Sequence, residues 1–102
     1  MTENELGLIG LGVRAGTVTM GVAAVRAGLQ RGDIALVVVA EDRSQRTAEK
    51  VGRLAAHRGI DVLEGPTAEE LGSRFGYGEI QALGLRDERL AAGIQDAHHG
   101  TR

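Results

Sequence analysis

A glycine-rich segment near the start of the chain, "LGLIGLGVRAGTVTMG" at 6–21, has the residue types of a phosphate-binding turn. Its glycines at 10, 12 and 16 follow a short apolar run, and such a turn after a strand can cradle the pyrophosphate of a dinucleotide. That chemistry would make the protein an oxidoreductase. The same residues also suit a first helix whose glycines permit close packing, which would fit a binding module instead.

Two features weigh against the dinucleotide turn. The residues "TVTM" at 17–20 are β-branched and poorly helical, whereas the motif needs a helix there. Glu41 and Asp42 lie about 25 residues past Gly16, whereas the motif places its acidic residue about 20 residues on. A helix over this segment has its own cost, roughly 0.5–1 kcal/mol for each interior glycine relative to alanine. Local propensity therefore leaves both interpretations open, with the dinucleotide turn the less favoured.

Other side chains with reactive groups are few and scattered. The chain has no cysteine, which excludes a thiol nucleophile and a thiolate metal site. Glu41 and Asp42 form a carboxylate pair, but at a strand end before a serine-capped helix such acids usually serve turns and solubility. His57 is expected on a solvated helix face, and His98 and His99 in a disordered polar tail. With no nucleophile–base set and no metal-ligand spacing, we expect a non-enzymatic protein that uses no metal and no cofactor.

Length and composition indicate one domain over residues 1–102, with flexible ends at 1–4 and 97–102. The longest apolar run, "IALVVVA" at 34–40, has seven residues, far fewer than the ~20 of a membrane span. Since "MTENELG" also lacks the basic start of a secretory signal, a cytoplasmic protein without membrane contact is expected.

The net charge of −2 argues against a general nucleic-acid binder, and no DNA partner is expected. However, residues 14–58 carry eight basic and four acidic groups, and could present a basic face to an anionic partner.

Helices alternate with strands along the chain. The continuous apolar run at 34–40 is typical of a strand covered on both faces, and Thr67 and Glu70 have the spacing of a helix capping box. The predicted elements are helices that begin near Gly21, Ser44, Thr67 and Asp87 and strands at 34–40, 60–64 and 79–85. This alternation predicts an α/β fold, with helices on both faces of a small buried sheet.

Three segments carry a resemblance to a known family: "GLGVRAGTVTMG" (10–21), "QRGDIALVVVAEDRSQRTAEKV" (30–51) and "RGIDVLEGPTAEELGSRFGYGE" (58–79). They resemble the kink-turn RNA-binding ribosomal proteins, the superfamily of archaeal "L-seven-Ae" and eukaryotic "L-thirty-e", and most of all its small bacterial YlxQ-like branch. The resemblance covers about Leu6 to Ile94, and its most specific parts are "AED" (40–42) and "EELG" (69–72). It implies a three-layer α/β/α sandwich with a mixed sheet of about four strands and about five helices. It also implies that "LGLIGLGVRAG" is the first helix and "TVTMG" a short strand and turn.

The family resemblance implies an RNA site in two parts, and the first is the turn before the second helix with that helix's N-terminal end. In the family, backbone N–H groups and an Asn-Glu-x-x-Lys run recognise tandem sheared G·A pairs there, and the positive helix end favours phosphate. Gly21 matches the glycine that lets the backbone approach RNA, and Val22 follows it. Ala23, Ala24 and Ala27 stand at the Asn, Glu and Lys positions. The side-chain part of the recognition is therefore missing, and weakened kink-turn specificity is expected.

The second part is the loop after the fourth helix, which in the family holds a splayed-out nucleotide. Tyr77 could stack on a base there, whereas Phe75 is expected in the core because it lies one helical turn from Leu71. Arginines outside the loop could contact the RNA backbone and position it without reading sequence. The predicted RNA-binding residues are Arg14, Gly21, Val22, Arg26, Arg31, Tyr77, Gly78 and Glu79. On this basis the chain is expected to be a ribonucleoprotein component that binds ribosomal or kink-turn-like RNA.

A second hypothesis keeps the scaffold and changes the partner. The net acidity and the small apolar surface of Ala23, Ala24 and Ala27 would suit a partner helix. The protein would then be an interaction module, or a ribosome-associated factor that docks on protein after losing kink-turn recognition.

Overall fold

Five helices and four strands form within residues 1–99, the part of the chain that the computed structural model describes. The helices are α1 (Glu3–Ala15), α2 (Val22–Arg31), α3 (Gln45–His57), α4 (Ala68–Phe75) and α5 (Glu88–His99). The strands are β1 (Val18–Met20), β2 (Leu36–Val39), β3 (Val62–Glu64) and β4 (Ala82–Leu85). The element types follow the predicted order along the whole described chain.

The sheet is mixed, with the strand order β1–β4–β2–β3. Strand β4 runs antiparallel to both of its neighbours, with Gly84 opposite Thr19 of β1 and opposite Val37 of β2. Strand β3 lies parallel to β2 at the other edge. Every residue of β2 and β4 is buried because both strands are interior and covered on two faces.

Two apolar clusters, one on each face of the sheet, define the layers. On one face, Ile9 of α1, Leu71 of α4 and Ile94 of α5 pack against Leu36 and Leu83. On the other face lie residues of α2 and α3 with the alternate side chains of β2, namely Val25, Leu29, Val37, Val39, Val51 and Ala55. Because successive side chains of β2 point to opposite faces of the sheet, this strand contributes residues to both clusters. The predicted three-layer α/β/α sandwich is confirmed.

The glycine-rich segment is helical over 6–15, which decides between the dinucleotide-binding turn and the first helix. Helix α1 starts with a capping box between Thr2 and Glu5 and ends at Gly16, whose φ of 76° is the left-handed conformation that glycine adopts readily. Gly12 is buried, and a Cβ there would lie 2.8 Å from methyl carbons of both Leu90 and Val18. Close packing therefore explains this glycine. The dinucleotide-turn hypothesis is wrong, because a helix occupies the place of its strand and phosphate loop.

Alanine substitutions at two glycines of α1 are expected to have opposite effects. Gly12→Ala should lower the free energy of unfolding by about 1–2 kcal/mol, since its methyl group would collide with Leu90 and Val18. Gly7→Ala should raise it by about 0.5–1 kcal/mol, because Gly7 faces open space and alanine is the better helix former. Urea unfolding of both variants beside the wild type measures the difference. Equal stabilities for the two would contradict close packing at Gly12.

Several element ends differ from the predicted ones. The strands are shorter than the apolar runs at 34–40, 60–64 and 79–85, because residues such as Ile34 and Ile80 are buried beside the sheet without belonging to its strands. Helix α1 begins at Glu3 and α5 continues to His99, so both reach into segments predicted to be flexible. The disordered tail predicted for His98 and His99 is wrong at these two residues. The rest of that segment, 100–102, lies outside the described residues.

Candidate RNA-binding surface

Three connections meet at one end of the sheet. The N–H of Gly21, in the turn between β1 and α2, donates to the carbonyl of Ala82 at 2.8 Å, and the N–H of Ala40 donates to the carbonyl of Gln81 at 2.9 Å. The side-chain oxygen of Gln81 also accepts from the N–H of Ser44 at 3.0 Å, which ties the start of α3 to the same place. We call this end of the sheet, formed by residues 21–24, 40–44 and 76–81, the rim.

The β1–α2 turn presents backbone at the rim. Gly21 has φ 95° and ψ 155°, a conformation that only glycine adopts readily, and no side chain caps the helix at this position. The first N–H groups of α2, at Val22, Ala23 and Ala24, have no acceptor within the helix. Ala23 and Ala24 are exposed, and their side chains are too short to cover these donors. The turn is therefore an open row of N–H groups at the positive end of a helix.

The segment 76–81 leads into Ala82, the acceptor for Gly21, and two hydrogen bonds anchor it to α4. Gly76 ends α4 with φ 85°, and the N–H of Tyr77 donates to the carbonyl of Gly72 at 2.7 Å. Ile80 is buried, and its N–H donates to the carbonyl of Ala68 at 3.0 Å. Between these two anchors Tyr77 is 54% exposed, and its neighbours 78 and 79 are exposed as well. The aromatic ring thus stands outside the core on a fixed backbone.

Phe75 and Tyr77 have different environments although they are two residues apart. Phe75 is half-buried and packs against the core cluster that contains α1 and α4. Its predicted place in the core is confirmed, and Tyr77 is the exposed aromatic of this loop.

The structure brings only part of the predicted residue set together. Gly21 and Val22 belong to one connection of the rim and residues 77–79 to another, and Ala82, which follows the second connection, accepts from Gly21. Arg26 lies one turn further along α2, in a groove against α3. Arg31 is in the last turn of the ten-residue α2, about 15 Å from its start, and its Nε is 3.1 Å from Asp33. Arg14 lines a different groove, with Phe75 on the helical layer of α1 and α4. Arg14, Arg26 and Arg31 thus lie outside the rim as defined here, and their contact with RNA stays a prediction.

The acids at the end of β2 serve the turn. A carboxylate oxygen of Asp42 accepts from the N–H of Ala68 at 2.8 Å, and the N–H of Glu41 donates to the carbonyl of Pro66 at 2.9 Å. Both contacts fix the start of α4 against the β2–α3 connection. Within residues 1–99, no group of three or more His, Asp or Glu side chains is arranged to hold a metal ion.

Gln81 is a rim residue that the sequence analysis missed. Its backbone and its side chain both accept from the β2–α3 connection, which is about 40 residues away in sequence. A glutamine in an apolar strand pattern was the available signal, because a half-buried amide needs partners for its polar atoms.

None of the helices within residues 1–99 has the length and apolar character that crossing a membrane requires.

Comparison with known proteins identifies the family of the chain and a solved structure with the same fold. A solved structure described as a protein with unknown function from Bacillus halodurans C superposes with a TM-score of 0.86 at 24% sequence identity, covering 92% of this chain and 95% of the other. At that identity the likeness shows the fold alone. No curated protein matches the chain significantly. The model of the ribosomal protein L7Ae/L30e/S12e/Gadd45 family matches residues 6–94. With nearly the whole chain matched and the sandwich in place, the protein belongs to this family and has its ribosomal-protein-like RNA-binding fold.

Proposed function

We propose that the chain acts as one non-enzymatic, cytoplasmic domain over residues 1–102 that binds RNA at the rim. The observation that carries the proposal is the 2.8 Å hydrogen bond from the N–H of Gly21 to the carbonyl of Ala82, because Ala82 directly follows the segment 76–81 and so ties the end of that segment to the β1–α2 turn. This contact, in a chain that belongs to a ribosomal-protein family, supports one RNA surface for the two parts of the site that the resemblance implies.

The rim offers two kinds of contact to RNA. The open N–H groups at the start of α2 can donate to phosphate or base oxygens, and the helix dipole favours the negative charge. Tyr77 offers an aromatic face to an unstacked base, a contact worth ~1–3 kcal/mol in single-stranded nucleic-acid binding. Both contacts suit a bent or splayed RNA better than a regular duplex, whose bases are stacked and paired.

Selectivity for the kink-turn is weakened by the alanines on α2. Ala23 and Ala24 are exposed at the rim and Ala27 is half-buried one turn on, and none of them can accept from a guanine or contact a phosphate through a polar side chain. What remains is recognition of shape and backbone. We therefore propose a modest preference for kink-turn RNA.

A gel-shift titration with a kink-turn RNA and with the same RNA carrying disrupted G·A pairs tests this function. We expect micromolar binding to the kink-turn RNA and binding to the disrupted RNA that is weaker by less than tenfold. Such a ratio corresponds to under about 1.4 kcal/mol of discrimination. Equal affinities would rule out kink-turn recognition. If neither RNA binds below tens of micromolar, RNA binding at the rim is wrong.

A protein partner is the second candidate, favoured by the exposure of Ala23 and Ala24 at the start of α2. A pull-down with the full chain, with and without nuclease, separates the two functions. Partners that survive nuclease and are lost in an Ala23→Arg variant would support protein docking at this face.

A further inference from the structure

Helices α2 and α3 run side by side in the same direction, away from the rim. Both begin there, after Gly21 and Ser44, and their far ends are joined because the guanidinium of Arg58 donates to the carbonyl of Gln30. Buried residues on the facing sides, Val25 of α2 and Val51 of α3 among them, hold the helices together beneath the surface. Above that contact a groove of about 450 Å³ lies between the two helices.

The walls of this groove are basic. On α3, Arg46, Lys50, Arg53 and His57 recur at spacings of four, three and four residues, which places them along one side of the helix. Lys50, Arg53 and His57 line the groove opposite Arg26 of α2. Among residues 1–99, Arg26, Lys50 and Arg53 form no ion pairs. The one acid in the lining, Glu49, accepts a hydrogen bond from Gln45 at 3.3 Å.

Arg26 has an unmet donor in this groove. Its Nε is shielded from solvent and has no hydrogen-bond partner among the described residues. A guanidinium has five N–H donors in a fixed planar arrangement that matches phosphate oxygens, and burial without an acceptor is unfavourable. An oxyanion between α2 and α3 would satisfy this donor and lie against the charges of Lys50 and Arg53.

We propose that the groove binds the phosphate backbone of an RNA strand that continues from the rim, a proposal that rests on the function proposed above. From Arg46 to His57 the basic side of α3 is about 16 Å long at 1.5 Å per residue, long enough to contact more than one phosphate of the same strand. Arg26 in the groove lies about one helical turn along α2 from Val22 at the rim. Contacts to phosphate hold RNA without reading its sequence, so this groove adds affinity and leaves selectivity to the rim.

The salt dependence of binding tests this groove. The double variant Lys50→Ala/Arg53→Ala is compared with Arg74→Ala/Arg89→Ala, which removes the same charge from α4 and α5 on the opposite layer. Kd is measured for a kink-turn RNA with extended stems between 0.05 and 0.3 M salt, values on the order used in such titrations. We expect the slope of log K against log salt to fall by about 1.4–1.8 for the groove variant, and affinity at ~0.1 M salt to fall on the order of tenfold. The control pair is expected to keep the slope of the wild type.

Trimming the RNA to the kink-turn alone gives a second readout. The affinity of the wild type should then fall to that of the groove variant, because the strand that fills the groove is gone. Two results together would overturn the groove proposal and leave the rim function intact. The groove variant would keep the salt slope of the wild type, and trimming the RNA would leave the affinity difference between the two proteins unchanged. If the wild type binds neither RNA, the rim function fails and the groove proposal with it. In that case polyglutamate is the next probe. If it binds the wild type and binding is lost in the Lys50→Ala/Arg53→Ala variant, the groove is assigned to an acidic protein segment.

Discussion

A variant carrying Ala23→Asn, Ala24→Glu and Ala27→Lys is expected to bind kink-turn RNA about a hundredfold more tightly than the wild type. Polar contacts of this type contribute ~1–3 kcal/mol each, and even at the low end three of them amount to about 3 kcal/mol, or two factors of ten. The structure accommodates the change, because residues 23 and 24 are exposed. A glutamate in the first helical turn also interacts favourably with the helix dipole.

The measurement is a gel-shift titration of this triple variant with the kink-turn RNA and with its G·A-disrupted form. Most of the gain should be confined to the intact kink-turn, since the restored groups recognise sheared pairs. The single variant Ala27→Lys is the matched control, and its gain on the intact kink-turn should be well below that of the triple variant because it restores only one of the three groups. A folded triple variant that gains nothing on the intact kink-turn would show that the start of α2 does not contact the G·A pairs.

Gly72→Ala is expected to cost about 2–3 kcal/mol of unfolding free energy and to weaken RNA binding at temperatures where the variant is still folded. A Cβ at this position would lie 2.5 Å from the carbonyl oxygen of Gly78 and 2.9 Å from the Cα of Glu79. Both are backbone atoms, so the strain cannot be relieved by rotating a side chain. The segment 76–79 must move away from α4, and Tyr77 moves with it.

Gly52→Ala on α3 is the matched control for this prediction. A Cβ at Gly52 meets nothing within 4 Å, and alanine favours the helix, so its stability should equal or exceed that of the wild type by up to ~1 kcal/mol. Thermal or urea unfolding gives the stabilities. Titration with RNA gives the affinities, at a temperature roughly 20–30 degrees below each unfolding midpoint so that the variant is folded. Wild-type stability in Gly72→Ala would mean that the loop does not rest on α4 as described.

Local patterns were enough to predict the layers of the fold. The apolar run of β2 is buried on both faces, and the capping spacing of Thr67 and Glu70 forms the expected box. The cap at Ser44 is also present, with its hydroxyl oxygen 3.1 Å from the N–H of Thr47. Each of these features involves residues within a few positions of one another, which is why the sequence alone reveals them.

Features that depend on distant partners were not accessible in this way. Helical propensity disfavours Gly12 in α1, and only the nearness of Leu90 and Val18 explains it. The bridge made by Gln81 depends on the register of β4, and the groove beside Arg26 depends on two helices starting at the same end of the sheet. For the same reason the sequence shows the charges of Arg14 and Arg31 but not their places, which are a groove on the layer of α1 and α4 and the last turn of α2.

The interior place of β4 has a consequence for how the protein is made. Because β1 and β2 both pair with β4 and not with each other, residues 18–20 have no partner strand until residues 82–85 have been synthesised. The turn at Gly21 is held by Ala82 and therefore acquires its final geometry at the same moment. On the function proposed above, a nascent chain would not compete with finished molecules for RNA, because the rim forms only when the last strand is inserted.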